Sequence, residues 1–593
     1  MPNRCRIIPL LLCGLCATGG CGKRGQKPVA SHPLPPAPLV SESETGTFGG
    51  RLTLAISAPV RTFNPVQAMD TGSDAVVRLL FGSLVTLNGL TQEPGPGLAE
   101  SWTNSLDGKT FTFKLRRGVY WSDGAPFSAD DVVFTWNEVM YNPGYNRSSY
   151  DLFRIGGRPF QVKRIDDYTV QVVTPEVFAP LLELFGGQVM ILPRHTLEKA
   201  AKNRSFNGSY ALNSRPDAVV GCGPFKLKAV VPGKSVLLER NPEYWVANKE
   251  GRRLPYLDEV MFIMAGGPPN DALLLLNGKS DVCDMVLPET LDLFAEASTK
   301  TNVQLIELGS GNQREFLWFN QNTGNNILGK PLVAPVKLKW FRNKKFRQAI
   351  SCAIDRERIA KEAYQGRARP IFGFVSEENK KWYNSNVPRY SFDREKARAL
   401  LMELGIQDRN NDGIAKDSEG NLLEITLNSN TGNPAREKAA AMICEDLKKI
   451  GIKLQYVPLD FAALRHLIDE TFEYEAAMMG LGGGAIDPAA EINVLKSSED
   501  LHQWFPLQKS PSTEWEARVD ALMDAQMHTL DFAKRKQAFD EAQTIMAEET
   551  PMIYTVSPLC YAAVRGNIGN LRPSAHTPYR VTWNLEELFL LKH

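Results

Sequence analysis

A chain of 593 residues is too long for one hydrophobic core, so its length predicts two or three structural units. Its 68 basic and 67 acidic residues nearly balance, which excludes a strong net charge that would draw the protein onto nucleic acid or an anionic membrane surface. With 43% hydrophobic and 23% charged residues, the composition is that of an ordinary globular protein.

The N-terminus has the pattern of a secretory signal. Arg4 and Arg6 precede a short apolar run, which is too short to cross a bilayer as a mature helix. The run ends at Thr18-Gly19-Gly20-Cys21, which resembles a bacterial lipoprotein signal with Cys21 as the acylated residue. We therefore expect residues 1–21 to be such a signal, with a plain cleaved signal as the alternative.

A tether is predicted for residues 22–48. This segment is rich in Pro, Ser and Gly and contains almost no aromatic residues. Such a composition cannot bury enough apolar surface to fold, and its prolines favour an extended chain. The expected layout is a lipid anchor, a flexible tether and then a globular body.

The body begins near Gly50, where short strands alternate with helices without a fixed-period repeat. This alternation predicts mixed α/β units. The stretch WSDGAPFSADDVVFTWN contains Asp123, Asp130 and Asp131, which could be mistaken for an active site. However, Asp123-Gly124 is a turn signal, and Ser128 three residues before Asp131 predicts a capping box at a helix start. We therefore expect these aspartates to be structural.

Three later segments predict amphipathic helices. RQAISCAIDRERIAKEAY contains Asp355, which can restart or recap the helix, and SFDREKARALLMELG has Asp393 as its N-cap and Gly405 as its stop. The long segment EWEARVDALMDAQMHTLDFAKRKQAFDEAQTIMAEETP predicts two helices that are broken near Leu530-Asp531 and end at Pro551.

These segments, in this order, resemble the peptide-type family of extracytoplasmic solute-binding proteins of ABC importers, whose members include dipeptide, oligopeptide and nickel binders. The resemblance begins at about Arg51 and is carried by the stretches GLAESWTNSLDGKTFTFKLRRGVYWSDGAPFSADDVVFTWN, GCGPFKL, ERNPEYW, FRQAISCAIDRERI, FDREKARALLMELG and FDEAQTIMAEETPMIY. It implies an α/β, two-lobed periplasmic-binding-protein fold of the type II kind, with hinge strands and an extra domain. The implied units are lobe I (49–77, 219–310 and 555–593), the extra domain of lobe I (78–218) and lobe II (311–554).

The ligand-binding segment departs from the family pattern. In the dipeptide-binding member, the strand that enters the cleft carries a Trp and then an Asp that pairs with the ligand's α-amino group, and an Arg in a neighbouring turn grips the ligand carboxylate. Here Leu481, Gly484 and Thr431 stand at those positions, and Asp487-Pro488 has the pattern of an N-cap followed by the first helical residue. The resemblance implies cleft contacts at Asp70, Thr71, Gly72, Asn430, Thr431, Met479, Gly480, Leu481, Gly482, Gly483 and Gly484.

The loss of these charged positions changes the expected ligand. A buried charged end without a partner costs several kcal/mol, roughly 3–5. We therefore do not expect a short zwitterionic peptide held by its ends. A longer peptide gripped through its backbone, or an uncharged solute such as an oligosaccharide, fits a glycine-lined strand better, and a metal chelate stays open.

One loop matches a calcium-binding pattern. DRNNDGIAKDSE places oxygen ligands at Asp408, Asn410, Asp412 and Glu419. Yet Ala415 replaces a larger apolar residue, and a strand follows instead of a second helix. Asp, Asn and Gly also form turns without metal. A bound calcium and a plain turn both stay open, and either role would be structural.

Catalytic motifs are missing from the sequence. The seven histidines lack zinc-site spacing, and neither a GxSxG elbow nor a GxxxxGK[ST] phosphate loop occurs, so the ATPase of an importer must be a separate chain. We expect a monomeric, lipid-anchored receptor that requires no cofactor, lies in the periplasm or at the cell surface, and delivers its solute to ABC permease subunits. An extracytoplasmic hydrolase and a ligand-sensing module of the same fold are the alternatives.

Overall fold

The computed structural model describes residues 31–145, 153–155, 157–187, 189–482, 486–577 and 579–591. The predicted signal region with Cys21 lies outside these residues, as do Gly483 and Gly484. Across the described ranges, no helix combines the length and apolar character needed to cross a membrane.

The strands in chain order are β1 (Leu39–Val40), β2 (Arg51–Ile56), β3 (Val85–Leu87), β4 (Pro94–Pro96), β5 (Ala99–Asn104), β6 (Thr110–Leu115), β7 (Arg154–Ile155), β8 (Arg158–Pro159), β9 (Gln161–Asp166), β10 (Thr169–Val173), β11 (Phe225–Val231), β12 (Ser235–Arg240), β13 (Val246–Ala247), β14 (Glu259–Met264), β15 (Val282–Cys283), β16 (Val303–Ser310), β17 (Arg314–Phe319), β18 (Ala368–Pro370), β19 (Glu424–Asn430), β20 (Lys453–Leu459), β21 (Ala476–Leu481), β22 (Met552–Tyr554), β23 (Val556–Arg565), β24 (Ile568–Gly569) and β25 (Phe589–Leu590).

The α-helices are α1 (Thr71–Leu80), α2 (Ala129–Phe134), α3 (Leu181–Gly187), α4 (Arg194–Lys202), α5 (Pro268–Leu276), α6 (Leu291–Lys300), α7 (Pro335–Phe341), α8 (Lys344–Ala353), α9 (Arg356–Arg358), α10 (Arg394–Glu403), α11 (Pro434–Lys448), α12 (Phe461–His466), α13 (Ile492–Leu495), α14 (Glu514–Met527) and α15 (Phe532–Glu549). Short π-helical turns continue three of them, at Thr135–Met140, Ile359–Ala363 and Leu467–Thr471.

Lobe I is the unit built on the largest sheet. Its strands lie in the order β11-β12-β14-β2-β15-β23-β16, and β18 pairs with β23. Strand β2 is parallel to both β14 and β15, and its alternating Leu52 and Leu54 are 0% and 5% exposed. The sheet therefore contributes directly to the core of this lobe.

The extra domain carries a separate antiparallel sheet of order β5-β6-β10-β9, whose hydrophobic core is continuous with that of lobe I. Helix α2 begins with the predicted capping box: Ser128 accepts from the first turn, and Asp131 accepts the Ser128 N–H at 3.0 Å. Asp131 also accepts the Arg194 N–H at 2.9 Å, and burial raises the pKa of its carboxyl. The structural reading of the capping aspartate is confirmed.

Lobe II is built on a sheet of order β20-β19-β21-β17-β22. Both faces of this sheet are covered, because β17 alternates between two hydrophobic cores. Leu317 and Phe319 face one core, while Phe316 and Trp318 face the other. The sheet edge from which the strand ends emerge is therefore flanked by packed helices on both sides.

The helix boundaries predicted from capping residues are confirmed. Asp393 accepts the Lys396 N–H at 2.9 Å, and Gly405 has a φ of +74° just beyond α10. Asp531 caps α15 after the predicted break that follows α14. Asp487 caps the short helix Pro488–Glu491. These local signals are independent of tertiary context, which explains why the sequence indicates them well.

Residues 31–48, here called the strap, differ from the predicted tether. Strand β1 pairs in parallel with β13, and the His32 ring stacks on Tyr120 with centroids 3.7 Å apart. Near the other end, the Thr47 hydroxyl donates to the Leu590 carbonyl at 2.9 Å. The strap forms no core of its own, but its extended prolines let it lie along the surface of lobe I. The tether expectation is therefore wrong for these residues.

Candidate ligand-binding site

The predicted cleft residues of lobe II meet at one edge of its sheet. Strands β19 and β21 are parallel neighbours, with Ser429 paired to Met478, so their carboxyl ends emerge side by side. Asn430 and Thr431 therefore lie next to the segment 479–482. Strand β17 runs antiparallel to β21 and begins at the same edge, where Arg314 pairs with Leu481. In open α/β sheets this edge is where ligands bind.

A buried ion pair stands at this edge on one face of the sheet. Arg436 Nε and Nη2 donate to the two carboxylate oxygens of Glu315 at 2.7 and 2.9 Å, and its Nη1 donates to Asn430 Oδ1. Glu315 is 0% exposed. Burial lowers the pKa of Arg436, but the bond and charge of Glu315 outweigh this effect and raise it above its usual range. The side-chain oxygen of Asn430 is thus already hydrogen-bonded to Arg436 within the protein.

The opposite face carries a second ion pair. Arg314 Nη1 and Nη2 donate to the carboxylate of Glu491 at 3.1 and 2.6 Å. Burial lowers the pKa of Arg314, and the charge of Glu491 more than compensates. A cavity of about 20 Å³, lined by Asn379 and Ile486 among others, adjoins this pair and has room for about one water molecule.

The glycine at 480 has a packing reason. A Cβ there would lie 2.5 Å from both Arg436 Nη2 and Glu315 Oε1, so a side chain at this position would displace the ion pair from its place over the strand. At Gly482 the nearest atom to a Cβ, on Gln313, is 3.6 Å away, so that position is not crowded. Its role as a ligand contact stays a prediction.

The Met479 side chain packs into one of the two hydrophobic cores of lobe II. It is 5% exposed and belongs to the core that contains Phe316 and Trp318. Leu481 packs partly against the same core. Because side chains alternate along a strand, Met479 must point away from the face that carries Gly480. The Met479 side chain therefore packs in the core of lobe II, and its role as a cleft contact stays a prediction.

The lobe I residues Asp70, Thr71 and Gly72 form the start of helix α1. Asp70 accepts the Ser73 N–H at 2.8 Å as the N-cap. A Cβ at Gly72 would lie 2.5 Å from the Ala58 carbonyl oxygen, which explains the glycine. These structural roles account for two of the three residues, and their contact with a ligand stays a prediction.

The loop with the calcium-binding pattern does not gather its four candidate ligands. Asp408 accepts the Gly413 N–H at 2.9 Å, and Asp412 accepts from Asn410 Nδ2 at 2.7 Å. Glu419 instead pairs with Lys339 at 3.0 Å. In the part of the chain that the structure describes, no group of three His, Cys, Asp or Glu side chains could hold a metal ion. The turn alternative accounts for these contacts.

The two lobes contact each other at both ends of the interface. Near the hinge, the Ser310 N–H donates to Glu378 Oε1 at 2.9 Å. Next to the extra domain, the Ala179 N–H donates to the Met527 carbonyl at 2.9 Å, and Lys381 pairs with Glu93 at 3.1 Å. Chain segments also cross between the two large sheets, from β16 to β17 and from β22 to β23. The two lobes are thus joined by crossing chain segments and also contact each other away from them.

Two α/β lobes joined by crossing strands, with strand ends converging at the cleft, define the class of two-lobed solute-binding proteins. The model of the bacterial extracellular solute-binding proteins, family 5, matches residues 93–502. The chain belongs to this family, whose members are the extracytoplasmic binding proteins of ABC importers. The predicted family and fold class are thereby confirmed.

Three similar proteins illustrate this family membership. A probable ABC transporter-binding protein of Deinococcus radiodurans is 29% identical over 523 residues, covering 83% of this chain and 84% of that protein. The dipeptide-binding protein of Escherichia coli is 28% identical over 525 residues, covering 85% and 89%. The crystal structure of the substrate-binding protein CtaP from Listeria monocytogenes superposes with a TM-score of 0.72 at 24% identity, covering 92% of this chain and 100% of that chain.

Sequence reasoning missed the two ion pairs at the cleft edge. The available signal was the run REFLWFN, in which Arg314 and Glu315 stand directly before four apolar residues. Adjacent residues of a strand point to opposite faces, so two charges at the head of a strand covered on both faces each require a buried partner. The partners Arg436 and Glu491 lie far away in the sequence and give no local signal.

Proposed function

We propose that this chain is a lipid-anchored receptor that captures a peptide, or a similar small solute, and delivers it to the permease of an ABC importer with a separate ATPase. The ligand favours lobe closure because it contacts both lobes, and only such differential contacts shift the equilibrium between open and closed forms. The peptide assignment rests on similarity to the dipeptide-binding protein of Escherichia coli.

The observation that carries the ligand proposal is the internal pairing of charges at the cleft edge. Arg314 pairs with Glu491 and Arg436 pairs with Glu315, and Leu481 and Thr431 stand where the dipeptide binder carries an aromatic and a charged anchor. A ligand end that carries a charge would meet no free counter-charge among these residues. The glycine-lined end of β21 therefore supports recognition through the peptide backbone, which every peptide offers regardless of its sequence.

The membrane anchor is supported by the sequence at Cys21 and by the strap. Because His32 is already docked on the body, the residues between Cys21 and His32 can span at most about 40 Å. A lipid at Cys21 would therefore hold the body close to the membrane, within reach of a permease. Mass measurement of the mature chain tests this: it begins at Cys21 with an added diacylglyceryl mass, or it shows a plain cleaved end.

Peptide capture is tested by binding of alanine-based peptides of increasing length, each with free ends and with acetylated and amidated ends. We expect long peptides to bind, and blocking of the ends to change the dissociation constant less than about threefold, which corresponds to less than about 0.7 kcal/mol. A loss above about tenfold on blocking would show that charged ends are gripped. If no peptide of any length binds, the peptide assignment is wrong.

The same experiment distinguishes a receptor from the alternative, a hydrolase. A receptor releases its peptide chemically unchanged, so the mass of the released peptide equals that of the added one. New fragment masses that depend on the protein would make the chain an enzyme. The sensor alternative predicts binding without transport, which reconstitution with the cognate permease would reveal.

A further inference from the structure

His32, near the beginning of the strap, is held by three groups of the body. Its backbone N–H donates to Glu243 Oε2 at 3.1 Å, and its ring Nδ1 lies 3.2 Å from the same oxygen. Arg253 Nη2 donates to the His32 carbonyl at 2.6 Å, and the His32 ring stacks on Tyr120 with centroids 3.7 Å apart. The backbone and the side chain of this residue are therefore both engaged.

Glu243 is a buried carboxylate that receives its donors from the strap. It is 4% exposed, and within the residues that the structure describes every hydrogen bond to its carboxylate comes from His32. The neighbouring cation, Arg253, donates to the carbonyls of Tyr244 and His32. A buried carboxylate without donors is strongly unfavourable. Undocking of the strap would create this situation, so the body is built to hold it.

The strap continues across the boundary between the extra domain and lobe I. Arg116 of the extra domain is 4% exposed and donates to the Ala37 carbonyl, while its guanidinium lies over the Trp245 ring, 5.3 Å from the centroid. Further on, the Ser41 N–H donates to the Ala247 carbonyl of lobe I at 2.8 Å. One extended segment thus contacts both units, in addition to the contacts made by His32.

We propose that Tyr120, Glu243 and Arg253 form a clamp that makes His32 the fixed exit point of the membrane anchor, so that the side of the body around Tyr120 faces the lipid surface. The residues between Cys21 and His32 reach at most about 40 Å. A folded body of this length is about 60 Å across. The opposite side of the body therefore cannot turn to the lipid while the clamp holds.

Release of the clamp and of the rest of the strap would remove this restriction. The chain between Cys21 and Gly50 could then reach about 100 Å, which is more than the width of the body, and any side could face the lipid. The membrane-facing side rests on the lipid at Cys21 of the proposed function, whereas the clamp itself does not. The two claims are therefore tested separately.

The clamp is tested in the soluble mature chain without lipid, by hydrogen exchange of the His32 amide. We expect this amide to exchange at least about 100-fold more slowly than in a free peptide of residues 31–48. Glu243→Gln and Tyr120→Ala should each speed its exchange about tenfold, with thermal unfolding as the check of folding. Tyr120 is only half-buried, so its variant keeps the test decisive if Glu243→Gln fails to fold.

Glu239→Gln is the matched control for the clamp variants. Glu239 lies on β12 and pairs with Lys226 at 3.2 Å, outside the clamp, so its substitution should leave the exchange of the His32 amide unchanged. A wild-type His32 amide that exchanges as in the free peptide overturns the clamp. Exchange that neither clamp variant alters overturns it as well.

The membrane-facing side is tested by coupling the N-terminal Cys21 of the mature chain to a thioester-bearing lipid on vesicles. This coupling is independent of natural lipidation, so a chain that carries no lipid in the cell does not affect the result. A fluorescent amino acid replaces His195 or, in a second sample, His466, which is exposed on α12 of lobe II. His195 lies beside the clamp, because it bonds Asp123 at 2.8 Å and a Cβ on the next residue, Gly124, would lie 3.4 Å from the His32 ring.

Energy transfer to acceptor-labelled lipids should be about twofold or more higher from position 195 than from position 466, because the clamp holds the first position near the lipid. Tyr120→Ala should reduce this difference. Equal transfer from the two positions, or a difference that Tyr120→Ala leaves unchanged, overturns the assignment of the membrane-facing side.

Discussion

Glu315 and Arg436 form a bidentate ion pair, with N···O distances of 2.7 and 2.9 Å, at the cleft end of the lobe II sheet. The preceding residue, Arg314, forms its own pair with Glu491 on the opposite face. Arg314 and Glu315 are consecutive in β17 and point to opposite faces of the sheet. Each hydrophobic face therefore ends at the cleft in a neutralised ion pair. This arrangement lets an apolar sheet reach the cleft without presenting unpaired charge from these residues to a ligand.

Breaking the Glu315–Arg436 pair should be strongly destabilising. Arg436→Met leaves the fully buried Glu315 carboxylate without its partner, and the expected loss in the free energy of unfolding is about 3–5 kcal/mol. Lys453→Met is the matched control, because it breaks the exposed Lys453–Glu424 pair on the same sheet and should cost less than about 1 kcal/mol. Denaturant unfolding measures both. Equal losses would mean that burial does not determine the effect.

The ion pair should also restrict position 480 to glycine. Gly480→Ala places a methyl group 2.5 Å from Arg436 and Glu315, so we expect a loss of about 1–3 kcal/mol and weaker solute binding. Gly482→Ala is the control on the same strand end, where the nearest atom is 3.6 Å away, and its cost should stay below about 1 kcal/mol. A tolerant Gly480→Ala would contradict the packing reason given for this glycine.

Glu516 should stabilise lobe II in a pH-dependent way. Burial alone would raise its pKa, but hydrogen bonds from His502, Gln508 and other donors lower it to about 2. A lowered pKa contributes stability above about pH 4.5, and this contribution is lost as the pH falls through about 2. Glu516→Gln should therefore lower the free energy of unfolding by about 3 kcal/mol at neutral pH.

The difference between wild type and Glu516→Gln should shrink as the pH falls from 4.5 towards 2, as measured by denaturant unfolding across this range. Glu514→Gln, in the same helical turn but exposed, is the control and should cost less than about 1 kcal/mol at every pH. A difference that does not depend on pH would show that the carboxylate charge of Glu516 is not the cause.

Calcium should leave the stability of the protein unchanged. Asp408 and Asp412 are occupied by donors within the loop, and Glu419 is paired with Lys339. Thermal unfolding in excess calcium and in excess chelator should give the same midpoint. A midpoint that rises with calcium concentration would mean that the loop rearranges into a metal site, because any ligand of the folded state stabilises it.

The sequence could predict features that depend on neighbours along the chain. The capping box at Ser128, the helix stop at Gly405 and the break before Asp531 follow from spacing alone, and the ordered segments together indicated the family and the fold. The resemblance to the family also implied that the carboxyl ends of β19 and β21 lie at the cleft. The structure brings these two strand ends together.

The sequence could not predict features that depend on partners distant along the chain. The strap has the composition of a free tether. The surface on which it lies belongs to distant residues such as Val246 and Leu590, so the sequence of the strap gives no signal that it docks. The packing of the Met479 side chain against Phe316 and Trp318 also has no signal in its own strand, because these partners lie far away along the chain.

The most direct test of the receptor assignment is native mass spectrometry of the purified mature chain, before and after denaturation, to weigh any small molecule that it carries. The proposed function predicts a bound species that is released on denaturation as a series of peptide masses, unchanged after prolonged incubation with fresh protein. A single non-peptide mass would contradict the peptide assignment, and conversion of the released species during incubation would contradict the receptor itself.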